Sequence, residues 1–336
     1  MSLLVLHKLL AIFAAVLIGW IAGRMRWLGE PAGGSDPARL LGNAAFFIFV
    51  PALLFRTTAR LDLQHMPWVT VAAFFVPTVA MLLGVYAAGQ LAQRGRPAAD
   101  LAAGERLAAV PAARAIATSF GNSVQIGIPL AAALFGEAGL GIHITLVSLH
   151  ALILLTLVTA LVELDLARAR AQHQASASLW ATLLVTARNT VVHPVVLPVL
   201  AGLLWNLAGL SLPGALDETL ALLGTAVAPL CLVLIGLSLA YTQVGGAIPA
   251  ALAISVLKLV AMPALVLAVA HWGFGLTGVP LSVLVLMAAL PSGSNALIFA
   301  QRYGAHEAET TAAIVLSTVG FVLTGPLWLA AVAALP

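Results

Sequence analysis

A chain of 336 residues that is 62% hydrophobic and 8% charged, with a mean hydropathy of +1.09, carries more apolar surface than a water-soluble domain of that length can bury. A formal net charge of +3 does not mark a nucleic-acid binder, and the single cysteine, Cys231, excludes an intrachain disulfide and a cysteine-rich metal site. What remains is a polytopic membrane protein. Apolar runs of about 20 residues, each able to cross a hydrocarbon core of about 30 Å as a helix, recur along the chain, and the alternating pattern of an outer-membrane barrel is absent.

Ten spans are predicted, at residues 3–23, 38–57, 67–92, 112–135, 138–163, 187–208, 217–241, 247–271, 279–303 and 308–334. The first has only His7 and Lys8 at its front, while Arg24 and Arg26 follow it, which fits a retained span better than a cleaved signal peptide. Span two holds Pro51 and span seven holds Pro229, each at mid-span. Cys231 lies inside span seven and reads as a packing residue. The longest polar connections fall near 93–111 and 164–186, and the stretch from Ser176 to Arg188 is expected to lie on the membrane surface.

Spans four and nine are interrupted. The first reads Phe120-Gly-Asn-Ser-Val-Gln-Ile-Gly-Ile-Pro-Leu130 and the second Leu290-Pro-Ser-Gly-Ser-Asn-Ala296. Proline removes a backbone donor and clashes with the preceding turn, and glycine lets the chain leave helical geometry cheaply. Freed carbonyls and amides are costly in lipid, so such breaks survive only where protein or a cavity covers them. Ten spans divide as five plus five, and an odd number per half inverts the second half. The expected organisation is therefore one repeat at 1–163, a cytoplasmic connection at 164–186 and an inverted repeat at 187–336. Paired breaks in two inverted halves point to a secondary transporter with its site where the broken helices cross.

Basic residues set the orientation. Arg24, Arg26, Arg39, Arg94, Arg96, Arg106, Arg114, Arg168, Arg170, Arg188 and Arg302 fall on one side, against Lys8, Arg56 and Arg60 on the other. The positive-inside rule then places both termini outside the cytoplasm.

Candidate site residues come from the breaks: Asn122, Gln125, Gly127, Pro129, Pro291, Ser292, Ser294 and Asn295. Half-helix N-termini offer unpaired N–H groups to an anion, and these side chains add hydrogen bonds without opposing charge. Polar groups at such breaks also serve simply to satisfy interrupted backbone. Lys258, deep in span eight, has three readings: an ammonium that binds freed carbonyls, a substrate contact, or a proton-coupling group. His143 and His150 share one face of span five and are the other candidates for proton coupling, although hydrogen-bonded core histidines are the commoner case. All twelve acidic residues fall in loops or near span ends, so sodium or proton binding by a midplane carboxylate is not expected. An anionic substrate follows, with no metal, cofactor or nucleic acid. A serine hydrolase built on Ser292 or Ser294 lacks a buried histidine in spans eight to ten, and a passive channel has no need of paired breaks.

The two break motifs, with Leu257-Lys-Leu-Val-Ala-Met-Pro263, Gln301-Arg-Tyr-Gly304 and Ala228-Pro-Leu-Cys-Leu-Val-Leu-Ile-Gly236, resemble the auxin efflux carriers and their bacterial relatives over nearly the whole chain. One departure is Asn189-Thr190, where that family tends to begin span six with Asn-Pro. The resemblance implies a scaffold of spans one, two, six and seven, and a moving core of spans three to five and eight to ten. It also implies a small carboxylate or auxin-like substrate, a bacterial inner-membrane location and a homodimer through the scaffold's apolar face.

Overall fold

The computed structural model describes residues 3–29, 37–61, 67–94, 101–173, 192, 194–241 and 245–335. Apart from one isolated bridge, the described residues form helices and turns, with no strand among them. In chain order the helices are α1 (Leu3–Arg24), α2 (Pro37–Ala59), α3 (Trp68–Gln93), α4 (Leu101–Ser119), α5 (Ile128–His173), α6 (Val196–Leu207), α7 (Gly214–Tyr241), α8 (Ile248–Gly273), α9 (Gly278–Ala289), α10 (Asn295–Tyr303) and α11 (Glu307–Ala333).

Six of these (α2, α3, α5, α7, α8 and α11) contain a stretch long and apolar enough to cross a membrane. The chain is thus an all-helical polytopic membrane protein. Of the other four predicted spans, two are the interrupted ones, whose pieces are individually short or carry charge. The first and sixth contribute shorter apolar stretches, Phe13–Arg24 and Val196–Leu207. Two boundaries differ from the sequence reading. Helix α4 begins at Leu101, inside the predicted connection at 93–111, and α5 runs on to His173. Strong helix formers fill both stretches, and charge there extends the helices rather than ending them; Arg170 on α5 bonds Glu105 on α4 at 2.6 Å. The stretch from Ser176 to Arg188 lies outside the described residues.

Proline shapes the apolar helices. Pro51 and Pro263 each follow a five-residue π-helical turn, Ala45–Phe49 in α2 and Leu257–Ala261 in α8. A wide turn relieves the clash of the proline ring with the preceding carbonyl. The second of these turns carries Lys258, and Trp328 Nε1 donates to the Leu259 carbonyl within it at 2.8 Å.

The helices pack as two groups. Helix α1 lies along α7, and α2 packs against both α6 and α7. The α1–α7 contact is backbone-close: a Cβ at Gly19 would overlap the Val233 carbonyl, and one at Gly236 would overlap the Val16 carbonyl. Small residues at such crossings let membrane helices gain dispersion contacts, the main attraction left in lipid. Asn206 at the end of α6 donates to the Ala59 and Leu61 carbonyls at 3.0 and 2.8 Å, closing the exposed end of α2. The second group holds α3, α4 and α5 together with α8, α9 and α11. Within each part of this group the chain runs helix, break, helix, left-handed glycine, helix. Gly136 (φ 61°) and Gly304 (φ 60°) occupy the last turn-point, where a Cβ would be strained.

Candidate functional site

The two breaks meet. After Ser119 the helical ladder ends with the Phe120 N–H on the Ile116 carbonyl; after Ala289 it ends with the Leu290 N–H on the Leu286 carbonyl. Between them the chains run antiparallel for one bridge, Gly121 opposite Ser292. The Asn122 N–H donates to the Pro291 carbonyl and the Gly293 N–H to the Phe120 carbonyl, both at 2.8 Å. Each break therefore satisfies part of the other's interrupted backbone. Gly293 is needed here for approach: a Cβ would sit 2.9 Å from the Gly121 carbonyl oxygen and 3.0 Å from Phe120 Cδ1.

Side chains complete the joint. Ser292 is fully buried; its Oγ donates to the Ala117 carbonyl at 2.7 Å, and its N–H donates to Ser317 Oγ at 3.1 Å. Lys258 is also fully buried, and its Nζ donates to the Ala288 carbonyl at 2.5 Å, at the C-terminal end of α9. That end leaves carbonyls without intrahelical partners and carries the negative pole of the helix. Nζ also lies close behind Gly121, 3.6 Å from where a Cβ there would stand.

His143 Nε2 is 2.9 Å from the Ser123 carbonyl, which makes that nitrogen the donor. His150 Nε2 accepts the Gly121 N–H at 3.2 Å, which puts its own proton on Nδ1. The His150 ring is enclosed by Phe120, Phe74 and Phe75, with centroids 4.5, 5.9 and 6.3 Å away. Neither histidine's Nδ1 has a hydrogen-bond partner in the structure. Gly127 leaves room for His143: a Cβ there would be 2.5 Å from Nε2.

A cavity of about 310 Å³ opens between this joint and helices α2 and α7. From the joint it is lined by Asn122, Ser123, Val124, Gly293, Ser294 and Asn295, with His150 beside them. The N–H groups of Val124, Ser294 and Asn295 have no backbone acceptor among the described residues, because each stands at the start of the helix that follows its break. Across the cavity α2 contributes Leu53, Leu54, Thr57 and Arg56. The Arg56 fork binds Asp217 of α7 through two bonds, 2.9 and 3.2 Å.

Among the residues singled out from sequence, Asn122, Ser294, Asn295 and His150 come together on the cavity wall. Pro291, Ser292, Lys258, His143 and Gly127 stand behind it, within the joint. The side chains of Gln125 and Pro129 lie outside the described part of the structure. Sequence reasoning passed over Arg56, which entered only as a charge for orientation. Its signal was its place within two turns of mid-span Pro51. No group of three or more potential metal ligands occurs among the described residues.

The crossed breaks and the cavity beside them thus sit in a body that has six helices of membrane-spanning length among the described residues. The chain belongs to the membrane transport protein family, which it matches over residues 4–329. It is 34% identical over 132 residues to "Uncharacterized transporter YfdV" of Escherichia coli (39% of this chain, 41% of that one). It is 29% identical over 159 residues to the "Putative malonate transporter" of Rhizobium meliloti (45% and 48%). It is 26% identical over 243 residues to the "Probable auxin efflux carrier component 5a" of Oryza sativa subsp. japonica (61% and 66%). Each alignment spans less than two thirds of the relative's length, the first of them 41%. What these comparisons share is a family of membrane transport proteins.

Proposed function

We propose that this transporter carries small organic anions, carboxylates above all, by secondary active transport across a bacterial cytoplasmic membrane. The observation that carries the reading is the cavity at the joint, where the N–H groups of Val124, Ser294 and Asn295 have no backbone acceptor among the described residues. A carboxylate needs several donors to replace its water shell, and helix N-termini supply them together with a favourable dipole. Asn122 and Asn295 add amide side chains without adding charge, and among the described residues no carboxylate lines the cavity to repel an anion. The relative named for malonate is consistent with that class.

In this reading the chain makes ten spans in two inverted repeats, 1–163 and 187–336, joined on the cytoplasmic side by 164–186. Helices α1, α2, α6 and α7 form the scaffold, and α3–α5 with α8–α11 form a core that moves past it, opening the cavity to each side in turn. Both termini then face away from the cytoplasm; a reporter fused after Pro336 reads as extracytoplasmic, and a cytoplasmic signal overturns this topology. Two copies pair through the scaffold's apolar face. His150, on the cavity wall, with His143 behind it, is the group through which protons couple to transport.

Uptake of labelled malonate and malate into liposomes holding the purified protein tests the reading. Saturable uptake, enhanced by an inward proton gradient, is expected. Absence of uptake for both acids removes the substrate class, and saturable uptake indifferent to the gradient removes the proton coupling.

A further inference from the structure

We propose that Arg56 is the second recognition point of the transport site, and that Asp217 is an internal stand-in which a substrate carboxylate displaces from it. The inference rests on the anion-transport reading above and specifies the class further, to anions with two carboxylates.

Arg56 is the only Lys, Arg, Asp or Glu among the described residues that line the cavity, and it lies on the α2 wall while the unpaired amides lie on the joint. Its guanidinium fork can hold one carboxylate through two parallel bonds. Asp217 occupies it bidentately, at 2.9 and 3.2 Å. This is the geometry a substrate carboxylate would copy. The pair is half-buried, with side chains 31% and 17% exposed, and Asp217 is not itself on the cavity wall. It sits one turn before Leu220 and Ala221, which are on that wall, so the ion pair stands at the rim.

The rim also carries a spare cation. Arg60 approaches Asp217 at 3.5 Å, so two guanidiniums share one carboxylate. If a substrate carboxylate takes the Arg56 fork, Asp217 keeps Arg60 and is not left as an unpaired charge. The exchange then swaps one carboxylate for another at Arg56, at little electrostatic cost. One end of the substrate meets the amides of Val124, Ser294 and Asn295; the other meets Arg56. A monocarboxylate fills only one of these points.

A pair with a purely structural role and an exchangeable pair give opposite signs in a mutant series. Uptake of labelled malonate is measured in liposomes for the wild type, Arg56→Gln, Asp217→Asn and the double variant, with unlabelled acetate as competitor. Thermal melting of each purified protein is measured alongside. The exchange predicts that Arg56→Gln raises the KM for malonate about tenfold or more. It predicts that Asp217→Asn lowers it, by about threefold, because the internal competitor is gone, and that the double variant behaves as Arg56→Gln. It also predicts that acetate competes relatively better in Arg56→Gln than in the wild type. A structural ion pair instead makes both single variants worse and restores function in the double variant; that outcome overturns the proposal. Should Arg56→Gln fail to fold, the fall in KM for Asp217→Asn still decides the matter, and an unchanged or raised KM there refutes it. A wild type that takes up no dicarboxylate disproves the anion-transport reading itself, a result distinct from wild-type uptake with an indifferent Arg56→Gln.

Discussion

Lys258 is tied to the joint between the breaks and is not among the residues that line the cavity. A lysine this deep costs about 2.5–3.5 kcal/mol on insertion scales, and its Nζ donates to the Ala288 carbonyl. The wide turn at Leu257–Ala261, imposed by Pro263, aims it at the end of α9. There its ammonium joins α8 to the broken helix. Of the three roles the sequence allowed, this geometry favours the structural one, since Lys258 is not among the cavity residues. Replacing Lys258 with Met leaves that carbonyl unsatisfied, a loss of about 1–3 kcal/mol. The melting temperature of Lys258→Met is therefore expected to fall while malonate still raises it. A variant with unchanged melting that no longer responds to malonate would make Lys258 a substrate ligand.

At the scale of elements, the joint between the breaks is a close backbone-to-backbone constraint. Two backbone bonds of 2.8 Å and the Ser292 bond to Ala117 hold it together, and Gly293 alone gives the necessary room. Gly293→Ala must push Phe120 or the Gly121 carbonyl aside, a strain of about 1–3 kcal/mol. Loss of malonate uptake together with a lower melting temperature is expected; uptake at the wild-type rate would mean that the joint does not need this closeness. Both breaks were legible from sequence because Pro, Gly, Ser and Asn have no cheap place in a lipid-facing helix. Their direct hydrogen bonding was not, since no pattern of residue types encodes which carbonyl a distant N–H reaches. The start of α4 was hidden for a different reason: Glu105 and Arg106 look like loop residues, yet lie in a helix that sequence polarity alone marks as a connection. Arg56 was hidden because composition cannot distinguish a guanidinium at a span end from one turned toward a cavity.

At the scale of the whole molecule, the site lies between two packed groups of helices and belongs to neither alone. One wall is the joint, built from α4, α5, α9 and α10; the other is α2 with α7. Any sliding of one group against the other must therefore reshape the cavity, which is what a carrier requires and a fixed pore does not. Gln301 of α10 sits on the same boundary, buried at 5% exposure against Gly42 of α2, with neither its amide oxygen nor its amide nitrogen hydrogen-bonded.

The claim that one cavity serves both sides in turn is tested most directly by counterflow. Liposomes holding the protein are loaded with unlabelled malonate and diluted into a trace of labelled malonate, without any imposed ion gradient. A carrier whose cavity alternates between sides accumulates label transiently above its equilibrium level, because internal substrate speeds the return of the loaded site; that overshoot is the expected result. Label that rises only to equilibrium, at a rate blind to the internal malonate, would contradict alternating access and leave a channel.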